Sequence, residues 1–340
     1  MSNREGAVCP EMSNRFPNQL LMWKIFVLLC GVSASAYADR VSVSVEVRDE
    51  EGLPISNAVV SVSTQKKLIF GYGSRPDHFE WTSNRTDSSG MATIRFRCLT
   101  ADFKCFVSSA DHYSEHVPHG RFAAHDDLKG GVEFDSTQTN LSFTLRRRIN
   151  PVPMHSFGAM TKYSMPAKNG SWGYDLQLGD WVSPHGNGQV ADFEIEYTWL
   201  QTEQDVRCFG KVIFKEPLAG AYRAAKVKSD NLQSVYVADT NHIYQSQIEY
   251  SAYARFDAPQ SGTERPVLSD EEYLVIRSRV KTDDEGNIVS ANYSKIYGPF
   301  RIGRELNYRQ SSFNPTPNDP NLEYDVTRNL NRKSRNRTRP

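Results

Sequence analysis

This sequence predicts an all-β protein of two β-sandwich domains, the second the larger, placed behind an export signal. Three observations carry that prediction. β-Branched and aromatic residues recur with period two in one stretch after another, the pattern of strands with one buried face. Turns containing Gly, Asp and Pro separate those stretches at short intervals. No run of convincing helical period exceeds ten residues. The 340 residues suffice for two domains of ordinary size. Hydrophobic content of 39% and a mean hydropathy of −0.57 suit sandwiches, which expose one face of each strand.

Residues 1–38 read as a signal peptide. Met22-Trp23-Lys24 leads into the apolar run Ile25 to Val32, then Ser33-Ala34-Ser35-Ala36-Tyr37-Ala38, a small-x-small site that predicts cleavage before Asp39. The run falls well short of the ~20 residues a spanning helix needs, so no membrane span is expected in the mature chain. Glu5, Pro10, Glu11 and Pro17 make an unusual leader, and translation is expected to start at Met22. Bulky Leu29 argues against a lipid anchor at Cys30.

The first domain is expected over 39–148. Val41, Val43, Val45 and Val47 alternate with polar residues as an opening strand. The turn Asp49-Glu50-Glu51-Gly52 precedes Pro54-Ile55-Ser56-Asn57-Ala58 and the β-branched run Val59 to Thr64. Thr86-Asp87-Ser88-Ser89-Gly90 feeds Met91 to Phe96, and Asn140 to Leu145 closes the domain with Leu141, Phe143 and Leu145 inward. Cys98 and Cys105 flank six residues. If Ala101-Asp102 turns a hairpin, the two cysteines face each other within disulfide reach, and an oxidising compartment permits the bond. Two separate small core residues are the alternative. Cys208 has no partner and reads as a buried thiol. Residues 110–131 read as a loop holding His112, His116, His119 and His125, where solvated histidines are preferred over a metal site.

Pro151 and Pro153 deny strand donors, so 149–154 is expected to be a linker. A second β-rich domain, an antiparallel sandwich or jelly roll, is expected over 155–325. Phe193, Ile195, Tyr197 and Trp199 form one aromatic strand face. His242 to Phe256 makes one long strand or two short ones. Tyr273–Val280 and Ile288–Tyr297 flank Thr282 to Asn287, a hairpin signal. Its acidic tip lacks the twelve-residue frame of a calcium loop. Residues 326–340 carry six basic side chains and no acid, which leaves a formal −6 on the remainder of a chain that is neutral overall. That tail is expected to be disordered, and the neutral total gives no global field for nucleic acid or an anionic membrane.

Asp49 through Val62, with Thr86-Asp87-Ser88-Ser89-Gly90-Met91-Ala92, resembles the carboxypeptidase regulatory-like domain, a transthyretin-like, Ig-like sandwich. The resemblance covers about a third of the chain. It implies an accessory or spacer module with no catalytic residues. Gly173-Tyr174-Asp175-Leu176, Gly179 to Gly188, and Asn314 to Asp319 with Asn321-Leu322-Glu323 resemble domains found behind such modules in uncharacterised bacterial exported proteins, a likeness that implies no activity.

The densest chemical cluster runs from Trp172 to Asp192: Trp172, Tyr174, Asp175, Asp180, Trp181 and His185, threaded with glycines. Exposed rings there would stack on sugars while Asp and His bind hydroxyls. Buried rings would instead anchor a loop system, and this reading is preferred because aromatics are costly to leave in water. His185 with Asp180 and Asp192 lacks the spacing of a zinc set, so no metal and no cofactor are expected. No nucleophile elbow, phosphate loop or dinucleotide fingerprint occurs. The expected function is non-catalytic binding or structure in the periplasm, at the cell surface or outside the cell, with an envelope glycan or another exported protein as partner and no specific nucleic acid. The alternatives are a carbohydrate-binding module using the Trp172–Asp192 loop and a hydrolase of unfamiliar pattern.

Overall fold

A computed structural model describes residues 39–65, 79–98, 102–122, 133–134, 138–226, 234–257 and 262–331. Residues 1–38, expected to be a signal peptide, most of the 66–81 insertion and His125 lie outside the described residues. No helix occurs among those described, and hence none long and apolar enough to cross a membrane.

The N-terminal part holds β1 (Asp39–Arg48), β2 (Val59–Gln65), β3 (Phe79–Arg85), β4 (Met91–Cys98), β5 (Asp102–Ser109), β6 (His112–Phe122), β7 (Glu133–Phe134) and β8 (Gln138–Thr144). One sheet has the order β4-β1-β8 and the other β3-β2-β5-β6-β7. The four alternating valines of β1 are buried against Val60 and Val62 of β2 and Phe103 and Val107 of β5, so the two sheets close one core. Phe143 of β8, which runs parallel to β1, and Leu145 just beyond it join that core.

Local chemistry sets the turns. Asp49 Oδ1 accepts from the amides of Glu51 (3.1 Å) and Leu53 (2.7 Å), and Gly52 takes a φ of +79°. Asp87 Oδ1 accepts from the Ser89 amide, the Ser89 hydroxyl and the Met91 amide, which holds its carboxyl below the ordinary range. Gly90, at φ +78°, comes so close to Val47 O that an added Cβ would lie 2.5 Å from it. Thr86 Oγ1 donates to Ile55 O at 2.7 Å and accepts from Ala58 N at 2.8 Å, tying the turn before β2 to the turn before β4.

Three expectations need correction here. β4 and β5 do not form a hairpin but lie in opposite sheets: Cys98 pairs across to Asp39, and Cys105 pairs to Val62. Cys105 is a free buried thiol that burial pushes up to about 12; the Cys98 side chain is outside the described residues. The stretch read as a histidine-bearing loop begins as a strand, β6, which carries His112 and His116. Extended pairing with β5 satisfies its backbone, which a loop would leave to water.

The C-terminal part holds β9 (Val152–Ser164), β10 (Asn169–Asp175), β11 (Asp180–Trp181), β12 (Phe193–Gln201), β13 (Asp205–Ile213), β14 (Gly220–Ala225), β15 (Gln247–Arg255), β16 (Thr263–Arg265), β17 (Glu272–Thr282), β18 (Ile288–Ile302), β19 (Glu305–Phe313) and β20 (Tyr324–Asn329). Its sheets run β11-β10-β12-β13-β15-β16 and β14-β17-β18-β19-β9-β20. Phe193, Ile195 and Tyr197 of β12 face Ile276, Ile296 and Phe300 across a second core. The β17–β18 hairpin forms as the turn signal predicts, with Asp283 accepting from the Asn287 amide at 2.7 Å.

β17 and β18 are buried on both faces over much of their length: Leu274 to Ser278 and Ala291 to Tyr297 are all out of water. The second face is covered by residues 214–219 and 234–246. There Arg277, lying over the Tyr244 ring, donates to Leu218 O and Thr240 O. The 149–154 stretch is no free linker, because β9 starts at Val152 and pairs in parallel with β20. β20 in turn runs to Asn329, so the first residues of the expected tail are strand. Residues 332–340 are outside the described set.

Candidate functional site

β10, β11 and the loop to β12 place the aromatic and acidic cluster at one end of the second sandwich. Trp172 and Trp181 are 7% and 4% exposed, and Tyr174 is fully buried. Trp172 and Trp181 meet edge to face at 6.5 Å, and Tyr174 stacks on Phe193 at 5.4 Å. Trp181 Nε1 donates to Ser164 O at 3.1 Å, so even its polar edge is used. The loop folds back over this ring: Gly188 N donates to Trp181 O at 2.8 Å, and a Cβ on Gly188 would lie 2.8 Å from the same oxygen. Stacking on a sugar needs an open ring face, and neither tryptophan has one.

The carboxylates are equally committed. Asp175 Oδ1 accepts from the amides of Gln177 and Leu178 and from Arg279 Nη2, and its Oδ2 accepts from the amides of Gln189 and Val190. Asp180 takes the Trp181 and Asn187 amides and the Asn187 side chain. Asp192, wholly buried, accepts from Leu176 N (2.7 Å), Ser278 Oγ (2.7 Å) and Arg279 Nε (2.9 Å). Burial pushes the Asp192 carboxyl up, and the hydrogen bonds and charge of Arg279 oppose that shift. Beside this network His155, on β9, is held below its ordinary value by burial and by the charge of Arg279.

His185 is exposed and packs against Trp172 at 6.3 Å; its backbone amide donates to Val182 O at 3.1 Å, while its imidazole has no hydrogen bond or ion pair among the described residues. The six expected residues are thus brought together, but as a core anchor and an ion-pair network. Among the described residues no group of three or more His, Cys, Asp or Glu side chains could hold a metal ion. His112 sits by its strand end, its imidazole 3.2 Å from Ser109 Oγ. The side chains of His116 and His119 are outside the described set. Cys208 is buried, its thiol donating to Ile302 O, and burial pushes it up to about 11.

Sequence reasoning missed Arg279, which crosses from β17 to bind both Asp175 and Asp192, at 2.9 Å each. It also missed a polar cluster at the junction of the two sandwiches. There Glu323, 1% exposed, accepts from Tyr113 Oη (3.0 Å), Ile149 N (2.9 Å) and Asn150 N (2.6 Å). Arg146 enters from the end of β8, donates to Ser234 O at 2.5 Å and lies over the Tyr236 ring at 3.3 Å. Lys295, buried in the middle of β18, donates to Ser234 Oγ at 3.0 Å. One signal was visible: Lys295 shares its strand face with Tyr293 and Tyr297, an isolated charge on an otherwise aromatic row.

No family model matches the chain, and no curated protein matches it in sequence. Several solved structures align with it weakly. 3-Chlorocatechol 1,2-dioxygenase from Rhodococcus opacus 1CP is 16% identical over 34% of this chain and 63% of its own, with a TM-score of 0.24. The shaft pilin SpaA of Lactobacillus rhamnosus GG is 7% identical over 66% of this chain and 93% of its own, with a TM-score of 0.19. The major pilin SpaA of Corynebacterium diphtheriae is 11% identical over 75% of this chain and 69% of its own, again at 0.19. The chain thus spans less than two thirds of the dioxygenase, and at these scores none of the three brings a function to it.

Proposed function

We propose that this chain is a non-catalytic exported protein with a structural or binding role, its first sandwich a module of the carboxypeptidase regulatory-like kind. The observation that supports this reading most is the commitment of the acidic cluster. Asp175 and Asp192 spend their oxygens on backbone amides and on Arg279, and His185 approaches no carboxylate. General acid–base chemistry needs a titratable group within reach of a substrate proton, and the buried carboxylates of Asp175 and Asp192 are closed to one. The turn chemistry of Asp49, Thr86, Asp87 and Gly90 supports the module assignment, since each motif residue performs a backbone task. The signal segment and its Ala36-Tyr37-Ala38 site support export.

Two measurements test the reading. N-terminal sequencing of protein recovered from the host's exported fraction should start at Asp39; a chain retaining Leu28 would mean an anchor. Purified mature protein is then incubated with peptidoglycan, a glycan array and general ester, peptide and glycoside substrates. Binding without turnover is expected. Turnover that disappears in His185→Ala would replace this reading with an enzymatic one.

A further inference from the structure

The junction between the sandwiches holds a guanidinium and an amine on one serine. Arg146 donates to the Ser234 carbonyl and Lys295 to the Ser234 hydroxyl, which is also 2.6 Å from Tyr297 Oη. We propose that this junction is a proton-sensitive latch between the two domains, closed while Lys295 is a neutral amine and loosened when it takes up a proton.

The groups around Lys295 come from every element packed on it. Arg146 approaches from the end of β8, its Nε lacking a hydrogen bond and lying 3.7 Å from Glu50. Tyr297 lies on its own strand, Tyr273 on β17, and Tyr236 beside Ser234. Glu323 precedes β20 and is already engaged by Tyr113 and two backbone amides. Farther out, Asp325 is 3.8 Å from Arg148. Among the described residues no carboxylate pairs with Lys295. A protonated Lys295 would therefore be a second cation beside Arg146 with one neutral hydroxyl for company, in a site shut off from bulk solvent. Burial, and after it the charge of Arg146, push the ammonium down to about 7, against a smaller opposing pull from Glu323.

Opening the junction withdraws Arg146, the second of the two causes that hold the ammonium down, and so moves the amine up toward the ordinary lysine range. Above about pH 7, through the window over which loss of Arg146 raises the amine, the docked form binds fewer protons than the open one. Docking therefore strengthens as pH rises through this window and is lost as pH falls, by up to about tenfold in the docking equilibrium per unit while the linkage is fully engaged. His112, near the junction and held down by burial, faces Asp49, Asp111, Glu50 and Arg147. Its protonation at lower pH acts in the same direction, so the test must separate the two.

The amides of Ile149 and Asn150 report on the latch, because both donate across the junction to Glu323. Their hydrogen exchange is measured in the full mature chain between about pH 9 and 6.5 and corrected for intrinsic rates. Protection should fall by about tenfold or more in the wild type and stay level in Lys295→Met, which keeps the volume and removes the proton site. An equal fall in Lys295→Met would assign the effect to His112 and overturn the proposal. So would level protection in the wild type. Should Lys295→Met lose its near-UV signature, the Lys295 ε-carbon resonance in the wild type decides. A midpoint near 7 supports the latch, and one above about 9.5 overturns it.

Discussion

Arg279 is the residue on which the acidic cluster depends. It sits at a register shift in β17 with a φ of +52°, a left-handed conformation that a non-glycine residue seldom adopts. From there its guanidinium reaches Asp175, Asp192 and Gln177 and lies over the Phe313 ring at 4.5 Å. Removing it leaves two buried carboxylates without a counter-charge. Arg279→Ala should cost about 3–5 kcal/mol, read as a lowered urea midpoint with an unchanged slope. Trp181→Ala should cost a similar ~3–5 kcal/mol through the cavity left among Trp172 and Tyr174. His185→Ala, on the exposed side of the same loop, should leave the melting curve within about 0.5 kcal/mol of wild type. A destabilising His185→Ala would show that its contact with Trp172 holds the loop in place.

At the scale of the element, the turns of the first sandwich are built from side chains that imitate backbone. Thr86 bonds both Ile55 O and Ala58 N, so one hydroxyl satisfies a donor and an acceptor that strand pairing leaves over. Thr86→Val keeps the shape and strands both groups in a buried site. We expect a loss of about 1–3 kcal/mol, seen as a lower thermal midpoint, while Thr86→Ser should retain most of the stability. β17 and β18 follow the opposite logic. The apolar run Tyr273 to Ile276 of β17 fits a strand covered on both faces, β18 buries the polar Asn292, Ser294 and Lys295 as well, and residues 214–219 and 234–246 supply the second cover.

At the scale of the molecule, each sandwich has its own hydrophobic core, and hydrogen bonds and the Tyr113–Tyr236 ring contact join them. Glu323 is the centre of this junction: one carboxylate holds the Tyr113 hydroxyl of the first domain and the amides of the connecting residues. Hydrogen bonds to a charged group contribute about 1.5–3 kcal/mol each. Glu323→Ala should therefore uncouple the domains while leaving both cores intact. Differential scanning calorimetry of the variant should show two transitions; a single, uniformly lowered transition would mean that the cores themselves depend on docking. The polar connection also explains why Pro151 and Pro153 misled. A proline-flanked segment reads as a spacer from its own composition, yet here its backbone is caught between Glu323, Asn321 and β20.

What the sequence by itself determined was local in origin. The valine alternation of β1, the aromatic face of β12, the Asp283 hairpin tip and the Asp49 and Asp87 turns all follow from neighbours within a few residues, so period and turn chemistry reveal them. The burial of Trp172 and Trp181 followed from the cost of leaving rings in water. Only the tertiary structure decided which sheet each strand joined. β4 and β5 are consecutive yet lie in opposite layers, and pairing across a sheet is chosen by partners far along the chain. Only the tertiary structure, too, could bring Arg279 to Asp175 and Asp192, or Lys295 to Arg146, across separations of roughly 90 to 150 residues. Electrostatic partners are selected by distance and burial in space, and neither leaves a mark in the local order of residues.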